Sequence, residues 1–172
     1  MKVTLKIAGH LLDRVRADLE RPHFFAHERV GFLTAGAAAV GTDLLLTVRA
    51  YLPVDDGDYE AAHGVGARIG SNAMRKAAQA AYRPPSTLLH VHTHGGCGPP
   101  RFSKVDLESA REFVPGFFQS CPRMPHGLLV LSGNAATGIL WMDRGLEPLD
   151  IDRFVRVDRP VVNQWSDHYV LA

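Results

Sequence analysis

The sequence predicts a single α/β domain built on a mixed, largely antiparallel sheet. Apolar residues alternate along the chain between the two-residue period of strands and the three-to-four-residue period of helices. Two pairs of neighbouring apolar runs joined by glycine-containing connections read as hairpins, which makes much of the sheet antiparallel. At 172 residues, 46% of them hydrophobic, the chain is long enough for one well-buried core and too short for two.

Val3, Leu5 and Ile7 alternate as a first strand, and Leu11, Leu12, Val15 and Leu19 recur at helical spacing up to Arg21-Pro22. Val30 to Leu33 and Leu44 to Leu52 form the next two strands, with the Gly36 and Gly41 region read as their connection. Asp55-Asp56-Gly57-Asp58 is a polar loop. From Val65 to Tyr82 the spacing of Ile69, Ala73, Ala77 and Ala80-Ala81 predicts an alanine-rich helix, stopped by Arg83-Pro84-Pro85 and small enough in side chain to lie close to a sheet. Ser86 to Val91 reads as a buried strand, followed by an irregular Gly95-Gly96-Cys97-Gly98-Pro99-Pro100 loop whose composition suggests mobility. Ser103 caps the next helix. Leu128 to Leu131 and Thr137 to Met142, joined through Gly133-Asn134, predict a last hairpin. In the tail, Phe154, Val155 and Val157 suggest one more strand, while Trp165 and Tyr169 have no evident place.

Lys and Arg total 19 against 18 Asp and Glu, so no basic excess argues for nucleic acid. The first residues lack the continuous apolar core of a signal peptide, and no apolar run approaches the roughly 20 residues of a membrane span. With only Cys97 and Cys121, and no Cys-x-x-Cys spacing, the expectation is unpaired thiols in a reducing cytoplasm.

The chemistry concentrates in His92-Thr93-His94 and Ser103-Lys104-Val105-Asp106. Side chains two apart on a strand share a face, so the two imidazoles point one way with Cα atoms roughly 6.6 Å apart. At that separation both can reach one zinc ion, Asp106 offers a third ligand, and a fourth position stays open for water, as in catalytic rather than structural zinc sites. Hydrolysing an amide also needs a proton acceptor outside the ligand set and a donor for the developing oxyanion. Glu28, at the mouth of the glycine-containing strand Val30-Gly31-Phe32-Leu33, suits the first task, and the Ser103 hydroxyl suits the second.

Each residue has a plainer reading. A lone His-x-His is more often structural, Glu28 is read alternatively as a solvated charge, Ser103 as a helix cap, and Asp106 as a first-turn carboxylate favouring the helix dipole. A site shifted to His90 and His92 shares the strand face but retreats from Asp106; His90 reads better as a buried or supporting residue. His23, His27, His63, His126 and His168 show no ligand spacing. His-Glu-x-x-His and the deaminase signature are absent.

Together these residues resemble the JAMM, or MPN-domain, zinc metalloproteases, whose pattern is an upstream Glu, then His-Ser/Thr-His-Pro, a short loop and Ser-x-x-Asp. The resemblance implies Glu28 as general acid/base, His92, His94 and Asp106 as zinc ligands, and Ser103 as the oxyanion-stabilising residue. It extends over roughly four-fifths of the chain, to about Met142. It implies a curved sheet flanked by helices in a domain of residues 1–147; residues 148–172, beyond its reach, are expected to be a C-terminal extension of unknown role packed on that domain. The implied reaction is zinc-dependent hydrolysis of a peptide or isopeptide bond at the C-terminus of a ubiquitin-like or sulfur-carrier-like protein, with an activating-enzyme system as a further partner. Two other functions share the site: a non-catalytic MPN-type scaffold and a zinc hydrolase of a small amide. Gly95 stands where the family usually has Pro, the loop to Ser103 is one residue longer than the commonest form, and the resemblance fades beyond about Glu147.

Overall fold

The computed structural model describes residues 1–22, 26–61 and 66–158. Its strands and helices alternate as β1 (Val3–Ala8), α1 (Gly9–Leu19), β2 (Val30–Val40), β3 (Asp43–Pro53), α2 (Ser71–Tyr82), β4 (Thr87–Thr93), α3 (Lys104–Ser120), β5 (His126–Leu131), β6 (Ala136–Trp141), β7 (Leu149–Asp150) and β8 (Arg153–Val157). All the strands join one mixed sheet in the order β7-β6-β5-β4-β2-β3-β1-β8, and the chain folds as a single α/β domain. The β2-β3, β2-β4, β5-β6 and β6-β7 pairs are antiparallel; β1-β3, β1-β8 and β4-β5 are parallel.

The sheet curls because its two end strands are consecutive in the chain. Only Ile151 and Asp152 separate β7 from β8, and three Cα steps span at most about 11 Å. Ile151 N–H still donates to Gly138 O of β6 at 2.9 Å, while Asp152 Oδ2 accepts from Val3 N–H of β1 at 2.7 Å. The link therefore holds the two ends of the sheet together. The concave side closes around α1, whose Val15 and Leu19 lie among Leu5, Leu46, Leu89, Val91 and Leu129. Tyr51 of β3 fastens this helix by donating its hydroxyl to Asp18 at 2.5 Å.

On the opposite face, α2 and α3 cover the middle strands. Ala73, Ala77 and Ala81 give α2 the close approach expected of small residues, and they pack with Phe32, Leu88, Phe117 and Phe118. Alternation along β4 thus sends Leu89 and Val91 into the concave core and leaves Leu88, His90 and His92 on the helix-covered face.

Two local expectations change. Gly36 is inside β2 rather than in its connection; the turn is at Gly41, whose φ is +62°, and the guanidinium of Arg49 occupies the space a side chain at 36 would need. The helix expected from Val65 begins at Ser71, because Ile69 pairs with Tyr59 in a bridge and Gly70 takes the extended conformation ahead of the first turn; residues 62–65 lie outside the described ones. The strand anticipated around Phe154 forms, and with β7 it is part of the same sheet as the preceding residues. Trp165 and Tyr169 lie outside the described residues, as do His23, His63 and His168. Cys97 is exposed and Cys121 buried, neither in a disulfide. No helix among the described residues is long and apolar enough to cross a membrane.

Candidate metal centre

The end of β4 supplies two imidazoles. His92 is opposite Val30 of β2 and Val130 of β5 in the sheet, and His94, one step beyond the strand, keeps the ladder by donating its N–H to Leu131 O at 3.1 Å. This backbone bond preserves the alternation that turns both rings to one side. Their Nε2 atoms are 3.1 Å apart.

Asp106 is brought to the same place by the start of α3. Ser103 and Asp106 form a capping box: Asp106 N–H donates to Ser103 Oγ at 3.1 Å, and Ser103 N–H donates to Asp106 Oδ2 at 2.6 Å. The capped carboxylate then faces both imidazoles, with Oδ1 3.1 Å from His92 Nε2 and Oδ2 3.4 Å from His94 Nε2. Burial alone would raise the Asp106 pKa, but hydrogen bonds from His92 and from Ser103 outweigh it and hold the carboxyl well below the usual carboxylate range.

Glu28 arrives through strand register. Val30 opposite His92 in an antiparallel pair carries the residue two before it towards the residue two after, so Glu28 approaches His94. One carboxylate oxygen of Glu28 and one nitrogen from each of His92 and His94 lie within 4.8 Å of one another. Glu28 N–H donates to Gly66 O at 3.0 Å, and a Cβ at position 66 would fall 2.6 Å from Glu28 Oε2. Only glycine lets the carboxylate occupy this space.

The donor set fits a divalent cation. Two atoms bound at about 2.0–2.1 Å to a tetrahedral zinc are separated by about 3.3–3.4 Å; here the two Nε2 atoms are 3.1 Å apart, Asp106 Oδ1 is 3.1 Å from His92 Nε2, and the other carboxylate oxygen, Oδ2, is 3.4 Å from His94 Nε2. Imidazole nitrogens and a carboxylate also match the ligand types of zinc and of other borderline metals. His92 Nδ1 is buried with no partner among the described residues, a departure from the usual oriented ligand. Exposure rises from 3% for the His92 side chain through 13% for Asp106 to 25% for His94, so the centre opens towards solvent on the His94 side.

All five residues singled out in the sequence, Glu28, His92, His94, Ser103 and Asp106, line one cleft of about 760 Å³. Sequence reasoning missed two groups around it. Arg29 is buried beside Glu28, donating through Nε to Arg21 O at 3.1 Å and through Nη2 to Pro22 O at 3.3 Å, and pairing with Asp56 at 2.8 Å. Tyr59 grips the next residue, accepting from Val30 N–H at 3.0 Å and donating to Val30 O at 3.2 Å. A cation directly before an apolar strand was the available signal for the first.

The Gly95–Pro100 loop is tied to the β5-β6 turn. Gly133 N–H donates to Gly96 O at 2.9 Å, Ser132 Oγ to Gly98 O at 2.7 Å, Gly98 N–H to Asn134 Oδ1 at 2.7 Å, and Thr137 Oγ1 to Pro100 O at 2.7 Å. Gly95, Gly96 and Gly98 all have positive φ, conformations that a proline at 95 could not adopt.

No family model matches the chain, and no curated protein matches it. Among solved structures, the N-terminal domain of STIL from Trichoplax adhaerens is similar over 79% of this chain and 41% of that one, at 8% sequence identity and a TM-score of 0.40. The chain thus spans less than half the length of that structure, and function rests on the geometry of the site.

Proposed function

We propose that the protein is a zinc-dependent hydrolase of the JAMM type, cleaving a peptide or isopeptide bond at the C-terminus of a ubiquitin-like or sulfur-carrier-like protein in the cytoplasm, in company with an activating-enzyme system. The observation that carries the reading is the convergence of His92 Nε2, His94 Nε2 and the Asp106 carboxylate at 3.1–3.4 Å, with Glu28 beside them from the segment just before β2. Three ligands and an adjacent free carboxylate make an open site with a base, whereas a scaffold needs neither.

His92, His94 and Asp106 would hold the metal. Zinc, when bound, acidifies a water and polarises the substrate carbonyl. Glu28 takes the proton from the attacking water and returns it to the leaving amine. Ser103 Oγ spends an acceptor position on Asp106 N–H, which leaves its hydroxyl hydrogen to donate to the carbonyl oxygen as negative charge develops there. Hydrolysis of a smaller amide is a second reading, favoured by a cleft volume of about 760 Å³, which falls in the range of small-molecule sites.

Metal analysis of the purified protein and a Glu28→Gln variant test the proposal. The protein is expected to hold about one zinc, and the variant to retain the metal while losing at least about 100-fold in kcat, within the range general-base catalysis supplies. Absence of stoichiometric zinc, or a variant as active as the parent, would reject it.

A further inference from the structure

Beside the metal centre the cleft continues into a wall that the reaction does not use. Val30 of β2 and Leu128 of β5 form its base, Ile69 and Met74 flank it from the α2 side, and Phe113 closes it from α3. Ile69, Met74 and Phe113 are only partly buried against the core, so their remaining apolar surface faces the cleft. His90 lies on this floor, on the same strand face as His92, with its ring 5.8 Å from that of His92 and 4.9 Å from Phe113. Its Nδ1 is enclosed without a partner, so Nε2 is the nitrogen a ligand would meet. Nothing in the capping box or the metal ligands calls on this pocket, and a scissile bond flanked by glycine alone would leave it filled with water.

We propose that this pocket is a specificity subsite for a large apolar side chain, of leucine or phenylalanine size, on a residue adjoining the scissile amide. The inference rests on the metal-dependent reading above and narrows its substrate class, because a Gly-Gly tail has no group to place there. The occupant follows from the lining: a thioether, a β-branched chain and an aromatic ring offer dispersion and apolar burial. Their continuity with the ligands in one cleft places that burial beside the reacting carbonyl. Such binding away from the reacting atoms orients the amide against Glu28 and the metal.

Two hydroxamates that share a metal-binding head and differ by one phenyl ring test the subsite without requiring turnover. On zinc-loaded protein, phenylacetohydroxamate should bind at least about tenfold more tightly than acetohydroxamate by calorimetry, a modest return for burying a ring at roughly 25 cal/mol per Å². Met74→Glu should reduce that preference to within about twofold; Ile69→Glu makes the same test if Met74→Glu does not fold. Equal affinities in the parent protein overturn the subsite and leave the metal reading standing, as would be expected for a Gly-Gly substrate. If the protein holds no zinc and neither hydroxamate binds, the metal reading fails and the subsite falls with it.

Discussion

His126 offers a measurement of the fold that is independent of any substrate. Its ring is buried at the first position of β5, where Nδ1 accepts Leu88 N–H at 3.0 Å and Nε2 is 3.0 Å from Cys121 O. Accepting through one nitrogen and donating through the other requires the neutral ring, and burial pushes its pKa from 6.5 down to about 4. The folded protein therefore resists a proton that the unfolded chain accepts. This contribution is fully present above pH 6.5, declines as pH falls, and is lost by about pH 4. The full displacement is worth about 3 kcal/mol at 1.36 kcal/mol per pKa unit, of which about 2 kcal/mol is gone at pH 5. His126→Asn removes the titration while retaining a polar side chain. Denaturant unfolding of both proteins, stripped of metal by chelator, should show the parent's advantage shrinking by about 2 kcal/mol between pH 7.5 and pH 5. An advantage that stays constant to within about 0.5 kcal/mol would refute the assignment of a neutral, doubly bonded ring.

Ser103→Ala separates a cap from a catalytic donor: loss of the cap should cost about 1 kcal/mol of stability, read as a melting temperature lower by a few degrees, while loss of the oxyanion donor should reduce kcat by about 100-fold or more. A normal kcat with the lowered melting temperature would leave Ser103 only its structural role. Asp106→Asn removes the anionic ligand but retains an acceptor for the Ser103 amide, so zinc affinity should fall by at least about 100-fold, beyond what outer contacts usually contribute. Competition with a chromophoric chelator measures it, and a change under about threefold would remove Asp106 from the ligand set.

What the sequence discloses depends on how far apart the partners are. His92, His94, Ser103 and Asp106 were legible because strand alternation and a helix cap are local rules acting within a few residues. Glu28 is different: its approach depends on Val30 pairing with His92, and the sequence offers only its place at the mouth of a glycine-containing strand and the resemblance to a known pattern. Alanine spacing extended α2 back to Val65 because it cannot register that Ile69 has a strand partner in Tyr59. Nor does any local pattern reveal that Leu5 and Phe154 are neighbours in parallel strands, which is what curls the sheet. Arg29 escaped for a related reason, since the meaning of a buried polar group is decided by what surrounds it.

The capping box shows why the most local part of the site is also its firmest. A helix needs its first amides satisfied whether or not a metal binds, and Ser103 and Asp106 meet that need reciprocally. The same two hydrogen bonds fix the Asp106 carboxylate towards His92 and His94, so the ligand is oriented by energy already committed to folding. The imidazoles are placed likewise, His92 by the ladders on both sides of β4 and His94 by its amide bond to Leu131. Glu28 has no such double duty: one backbone bond to Gly66, the anchoring of the adjacent Arg29 to Arg21 O and the grip of Tyr59 on Val30 hold it beside the two imidazoles. A ligand must be rigid to select a metal, whereas a base must follow a proton from water to leaving group. On the proposed hydrolytic reading, these demands fall on a strand-helix frame and on a residue two positions ahead of β2.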